Sequence, residues 1–141
     1  SGKIVAFQGR HTAGGTPKYK FSPPGAKLPL FPQVFPRLGE IILVEGIYDV
    51  LNLHDKGLTN SVCCFGTNNI NEDKLLMLSM KGATKIGVFF DGDEAGQKAA
   101  ENVKVMCEKI GLFTRNIHMK ELDPGALTET QVKKLEKRLY A

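Results

Sequence analysis

The chain has 141 residues, 42% of them hydrophobic, and a formal net charge of +4, enough apolar side chain for one ordinary core and too much for a disordered segment. Its longest apolar stretches, one ending at Val44 and one around Val88 to Phe90, fall far short of the roughly 20 residues of a membrane span, so no membrane partner is expected. Cys63, Cys64 and Cys107 form no CxxC pair and no His/Cys metal spacing, which argues against zinc and a disulfide framework and for a reducing, cytoplasmic setting.

Ser1-Gly2 without Met reads as a cloning remnant, as in a piece of a longer protein. Residues 1–38 are expected to form a basic N-terminal segment. Up to Gly39 the chain carries six cations (Lys3, Arg10, Lys18, Lys20, Lys27 and Arg37) and no acid, so the remainder holds 13 basic and 15 acidic residues. A cationic arm before a slightly acidic body fits a polyanion partner. The arm opens with a predicted strand, Lys3 to Gln8, and continues through a run of Gly and Pro that suits loops and edge strands.

From residue 39 to 141 strand and helix patterns alternate. Ile41 to Val44 is a continuous apolar run, the mark of a strand buried on both faces, and a helix follows over Ile47 to Lys56. The pattern predicts strands at Ser61 to Phe65, Lys85 to Phe90 and Phe113 to Met119. Helices follow at Asn71 to Lys81, Glu94 to Ile110 and Thr128 to Tyr140. Four strand–helix units imply an α/β fold with a mostly parallel sheet covered on both faces.

The acids fall where such folds place function, at the carboxyl ends of the strands. The first strand runs into Glu45-Gly46, the third into Asp91-Gly92-Asp93, and the fourth into a segment with Glu121 and Asp123-Pro124. Asp91 and Asp93 are two apart, so in an extended segment they project to one side and can share a cation, with Glu45 approaching from another strand. Oxygen-ligated Mg2+ or Mn2+ would neutralise such a cluster. The competing expectation is that Asp93 and Glu94 cap the following helix and that Asp49 is an exposed helix residue.

Leu43-Val44-Glu45-Gly46-Ile47-Tyr48-Asp49-Val50, followed after about 40 residues by Phe89-Phe90-Asp91-Gly92-Asp93-Glu94-Ala95-Gly96, resembles the Toprim domain of bacterial primases, topoisomerases and some nucleases. The resemblance covers residues 39 to 122. It implies a Rossmann-like Toprim fold, Asp91 and Asp93 as metal ligands, and Glu45 as an acid/base or metal-linked glutamate. Phe65-Gly66-Thr67 is similar to the family's turn beside that site. The arm, with Gly9-Arg10, Pro17-Lys18-Tyr19 and Ser22-Pro23, resembles the end of the polymerase subdomain of bacterial and phage-type primases. That resemblance implies Arg10, Lys18 and, more weakly, Lys20 as nucleotide or nucleic-acid contacts, Asp123 as a further metal ligand, and Asp49 as a group behind the ligands. Many primases have a second Asp where this chain has Gly125.

The activity so implied is primer synthesis from nucleoside triphosphates on single-stranded DNA, alongside a replicative helicase. Without a zinc module or helicase P-loop, a full primase would need more chain than this. A Toprim-type nuclease and a non-catalytic nucleic-acid or nucleotide-binding module are the rival readings.

Overall fold

The computed structural model describes residues 2–33, 36, 38–119 and 122–140. Ser1, Arg37 and Glu121, which entered the readings of the chain start, the arm charge and the strand-end acids, lie outside the described residues. The arm forms a hairpin of β1 (Phe7–Arg10) and β2 (Tyr19–Ser22), antiparallel, with Phe7 opposite Ser22 and Arg10 opposite Tyr19. The strand expected over Lys3 to Gln8 is therefore displaced to include Gly9 and Arg10. A strand needs a partner, and Pro17 and Pro23 confine the partner to the stretch between them.

The body follows as β3 (Gly39–Val44), α1 (Ile47–Asp55), β4 (Ser61–Cys63), α2 (Glu72–Met80), β5 (Ala83–Val88), α3 (Glu94–Ile110), β6 (Phe113–Asn116) and α4 (Glu129–Tyr140). Short 3-10 turns occupy Thr67–Asn69 and Pro124–Ala126. The four strands of the body are parallel, in the order β4-β3-β5-β6. The expected α/β architecture with four strand–helix units is thus present: β3 starts two residues earlier than expected, while β4 and β6 end earlier, at Cys63 and Asn116. β4 stops before Phe65, whose φ of 57° is left-handed and cannot continue a strand. β5 is registered two residues earlier than expected, with Phe89 and Phe90 buried beyond its paired stretch.

Alternation along β3 sorts the core into two layers. Ile41 and Leu43 face Leu75 and Leu78 of α2 and Val103 and Cys107 of α3. Ile42 and Val44 face Val50 and Leu53 of α1 and Val132, Leu135 and Leu139 of α4. Helices on both faces explain why Ile41 to Val44 is wholly apolar and wholly buried. α4 is capped reciprocally: the Gln131 amide N–H donates to the Thr128 hydroxyl (3.3 Å) and the Thr128 N–H to the Gln131 side-chain oxygen (2.8 Å). At its far end the Tyr140 hydroxyl donates to the Glu40 carbonyl (2.7 Å), which also accepts from the Asn60 side chain (2.8 Å).

The second half of the arm packs onto the body. Leu30 is in the core, and Phe31 exchanges two backbone hydrogen bonds with Cys63 (3.1 and 2.7 Å), covering the outer edge of β4. The chain runs outward from β3 to β4, returns across the sheet to β5, and runs outward again to β6. A crevice opens where that order reverses, at the carboxyl ends of β3 and β5.

Candidate metal centre

Glu45 leaves β3 at the reversal point and Asp91 leaves β5 beside it. Their link is a backbone one: the Asp91 amide N–H donates to Glu45 Oε1 at 3.0 Å. Gly96 lets α3 come up close behind Asp91, because a Cβ at position 96 would overlap the Asp91 carbonyl oxygen. That carbonyl also accepts from the Gln97 side chain (3.2 Å), which in turn accepts from Asn116 (2.9 Å). Asp93 is the N-cap of α3, with Oδ1 accepting the Gly96 amide at 2.7 Å. It is exposed, and it is not among the residues lining the cleft that Asp91 faces. One of its oxygens thus does the helix-capping work, whatever the other holds.

Asp49, in the first turn of α1, accepts the Gly46 amide through Oδ2 (3.1 Å) and the Gly125 amide through Oδ1 (3.0 Å). It is half-buried rather than exposed. Asp123 begins the 3-10 turn Pro124–Ala126 and lines the same cleft as Glu45, Asp49 and Asp91.

Crowding shows in the proton affinities. Burial pushes the Glu45 carboxyl up to about 6, with Asp91, Asp49 and Asp93 adding repulsion and the Asp91 amide opposing it. Asp91 is also raised to about 6, by burial first and then by Asp123, Asp49 and Asp93, with Lys18 opposing. Asp49 is raised by burial and by Asp123, against the two amides it accepts. Among the described residues no three Asp, Glu, His or Cys side chains close into a ready-made cage. The acids instead line an open crevice with oxygen donors only, which suits a hard divalent cation that keeps several waters.

The opposite wall is basic and aromatic. The Arg10 guanidinium lies 5.8 Å from the Tyr19 ring centre and 5.7 Å from that of Tyr48, within cation–π range of both, and Lys18 Nζ is 5.7 Å from Tyr19. Tyr19 and Tyr48 are 6.3 Å apart, and Phe21 meets Phe65 edge-on at 5.8 Å. Together the walls bound a cleft of about 600 Å³, which shares Arg10, Lys18 and Tyr48 with a second hollow of about 800 Å³ under the β1–β2 turn. Lys20 is on the other side of the hairpin: alternation in β2 turns Tyr19 and Phe21 inward and Lys20 outward. The motifs in the sequence include Tyr19, Tyr48 and Phe65 without giving their rings a role, and Phe21 lies outside them, although Tyr19 and Phe21 are spaced by two as a half-buried strand requires.

Residues 39–118 match the family model described as Toprim domain. The chain is 37% identical over 111 residues to a DNA primase of Pseudomonas putida, covering 70% of this chain and 16% of that protein. It is 31% identical over 109 residues to a DNA primase of Synechococcus elongatus, covering 71% and 16%. The crystal structure of a DNA primase domain from Pseudomonas aeruginosa superposes with a TM-score of 0.75 at 29% identity, over 96% of this chain and 46% of that one. The chain thus spans under a fifth of the length of the curated relatives it matches.

Proposed function

Since this chain belongs to the Toprim domain family, we propose that it forms the metal-binding part of a DNA primase, acting on nucleoside triphosphates and a single-stranded DNA template. One observation carries the reading. A single cleft at the sheet's reversal point has carboxylates on one wall and the Arg10, Lys18, Tyr19 wall opposite. A nuclease needs the acids, but an arm that brings cations and aromatic rings to face them suits a site that must hold both a polyanionic strand and a triphosphate.

In this reading Asp91, Asp93 and Glu45, with Asp123, hold Mg2+ or Mn2+. When bound, such ions neutralise developing charge on attacking and leaving phosphate oxygens. The chain's own residues do the rest. Glu45 fixes the Asp91 backbone and is the residue offered for metal binding or proton transfer. Arg10 and Lys18 hold phosphates, and Tyr19 and Tyr48 keep Arg10 in place. A replicative helicase as partner, and a cytoplasmic site of action, follow from the primase reading alone.

The test uses the full-length parent protein with single-stranded template, labelled ribonucleotides and Mn2+. Oligoribonucleotides lost on Asp91→Ala are the expected result. Shortened template in their place establishes the nuclease, and binding without either product establishes a non-catalytic module.

A further inference from the structure

The turn that carries Asp123 is fastened to α1 by two side chains whose arrangement the metal reading leaves unused. Asp49 gives one carboxylate oxygen to the Gly46 amide (3.1 Å) and the other to the Gly125 amide (3.0 Å). Three residues on, and so on the same face of α1, Asn52 donates its side-chain amide to the carbonyls of Pro124 (2.8 Å) and Leu127 (3.1 Å). The two side chains therefore grip the turn at three points, Pro124, Gly125 and Leu127.

Gly125 permits the grip. A Cβ there would come within 2.9 Å of Asp49 Oδ1. Pro124 is buried beneath, and Asp123, at the head of the turn, is exposed with no side-chain capping bond. Both Asp49 oxygens are thus engaged by backbone, while the Asp123 carboxylate is left to face the cleft.

We propose that Asp49 and Asn52 are positioning residues: they hold the turn so that Asp123 stands at the rim of the cleft as a ligand for the cation held by Glu45 and Asp91. The proposal rests on the metal reading above. Its physical basis is pre-organisation. An exposed turn containing Gly125 would otherwise have to be ordered each time a cation bound, and a group that fixes a ligand beforehand removes that cost. Glycine at position 125 then has a local reason, since a side chain there would press on the same Asp49 oxygen that accepts its amide.

Mn2+ binding to the 141-residue chain, followed by the electron paramagnetic resonance of the free ion, tests the proposal together with the amide exchange rate of Gly125. Asp49→Ala, Asn52→Ala and Asp123→Asn each weaken Mn2+ binding about tenfold, the lower end for residues supporting a metal ligand. Asn52→Ala matters most, since it removes no charge. In an Asp123→Asn background neither Asp49→Ala nor Asn52→Ala weakens binding further. Gly125 exchange rises about tenfold in Asp49→Ala, and Asp49→Asn, which retains one acceptor oxygen, recovers part of it. Asn52→Ala and Asp49→Asn keep the test readable should Asp49→Ala not fold.

A second tenfold loss when Asp49→Ala is added to Asp123→Asn overturns the proposal, because Asp49 then acts on the cation directly. Unchanged Gly125 exchange in Asp49→Ala overturns the grip itself. A parent chain that binds no Mn2+ overturns the metal reading and the purpose of the grip, a result distinct from loss of the hydrogen bonds.

Discussion

Glu45 and Asp91 are carboxyls crowded into a half-buried crevice, and that crowding sets a sign. For each, the folded-state proton affinity (about 6) exceeds the ordinary value of 4.5 for Glu45 and 3.8 for Asp91. The folded chain therefore holds protons that the unfolded chain has lost, and stability contributed by these groups at low pH disappears as pH rises towards 6. Glu45→Gln should gain stability relative to the parent as pH goes from about 4.5 to 6, with the difference level above that. Urea titrations of both chains across that range check this, and a flat difference would remove the crowding argument. Protons and a divalent cation compete for the same oxygens, so Mn2+ affinity should climb with pH up to about 6 and then flatten. Millimolar Mn2+ or Mg2+ should raise the melting temperature of the parent and leave Asp91→Ala/Asp93→Ala unchanged, as read by differential scanning calorimetry. At this scale the sequence was partly legible. Glu45 and Asp91 end apolar runs, which is visible in one dimension. Of the two partners of Asp49, Gly125 is 76 residues away along the chain, and no local pattern could point to it.

The elements place these residues by close approach and by burial. α3 reaches Asp91 because position 96 has no side chain. Gly96→Ala should push the Asp91 loop out of place and abolish the Mn2+-induced thermal shift, with a loss of stability of about 1–3 kcal/mol from the overlap, measured by urea unfolding. α4 acts from the other side, burying Val132, Leu135 and Leu139 against the layer of Ile42 and Val44. Leu135→Ala should cost about 2–5 kcal/mol in the same measurement, the usual cost of emptying a core leucine site. The helices were well marked in the sequence, since period and caps are local signals: Gly111 ends α3 and Thr128 precedes α4. Strand limits were less so. Phe65 takes a left-handed backbone that its residue type does not advertise, and Phe31 pairs with Cys63 from within a Pro-rich stretch that reads as loop.

Across the whole molecule, charge is divided: the acid-free arm brings Arg10 and Lys18 to a crevice lined by four acids of the body, Glu45, Asp49, Asp91 and Asp123. Binding of single-stranded DNA should weaken steeply between 50 and 200 mM salt, as read by fluorescence anisotropy. Arg10→Ala and Lys18→Ala should each reduce the slope of log affinity against log salt by about 1, while Lys20→Ala, on the outward face of β2, should change it least. Equal slopes for all three variants would remove the arm from the binding surface. The bond between Tyr140 and Glu40 joins residues 100 apart, the last turn of the final helix to the start of the central strand. On a ribosome, the α2 and α3 layer can condense while the tail is still being made, but the α1 layer stays open until α4 emerges and docks. The side of the sheet that carries Asp49 and meets the Asp123 turn is therefore completed last, so the proposed cation site would come together only once this stretch has been synthesised.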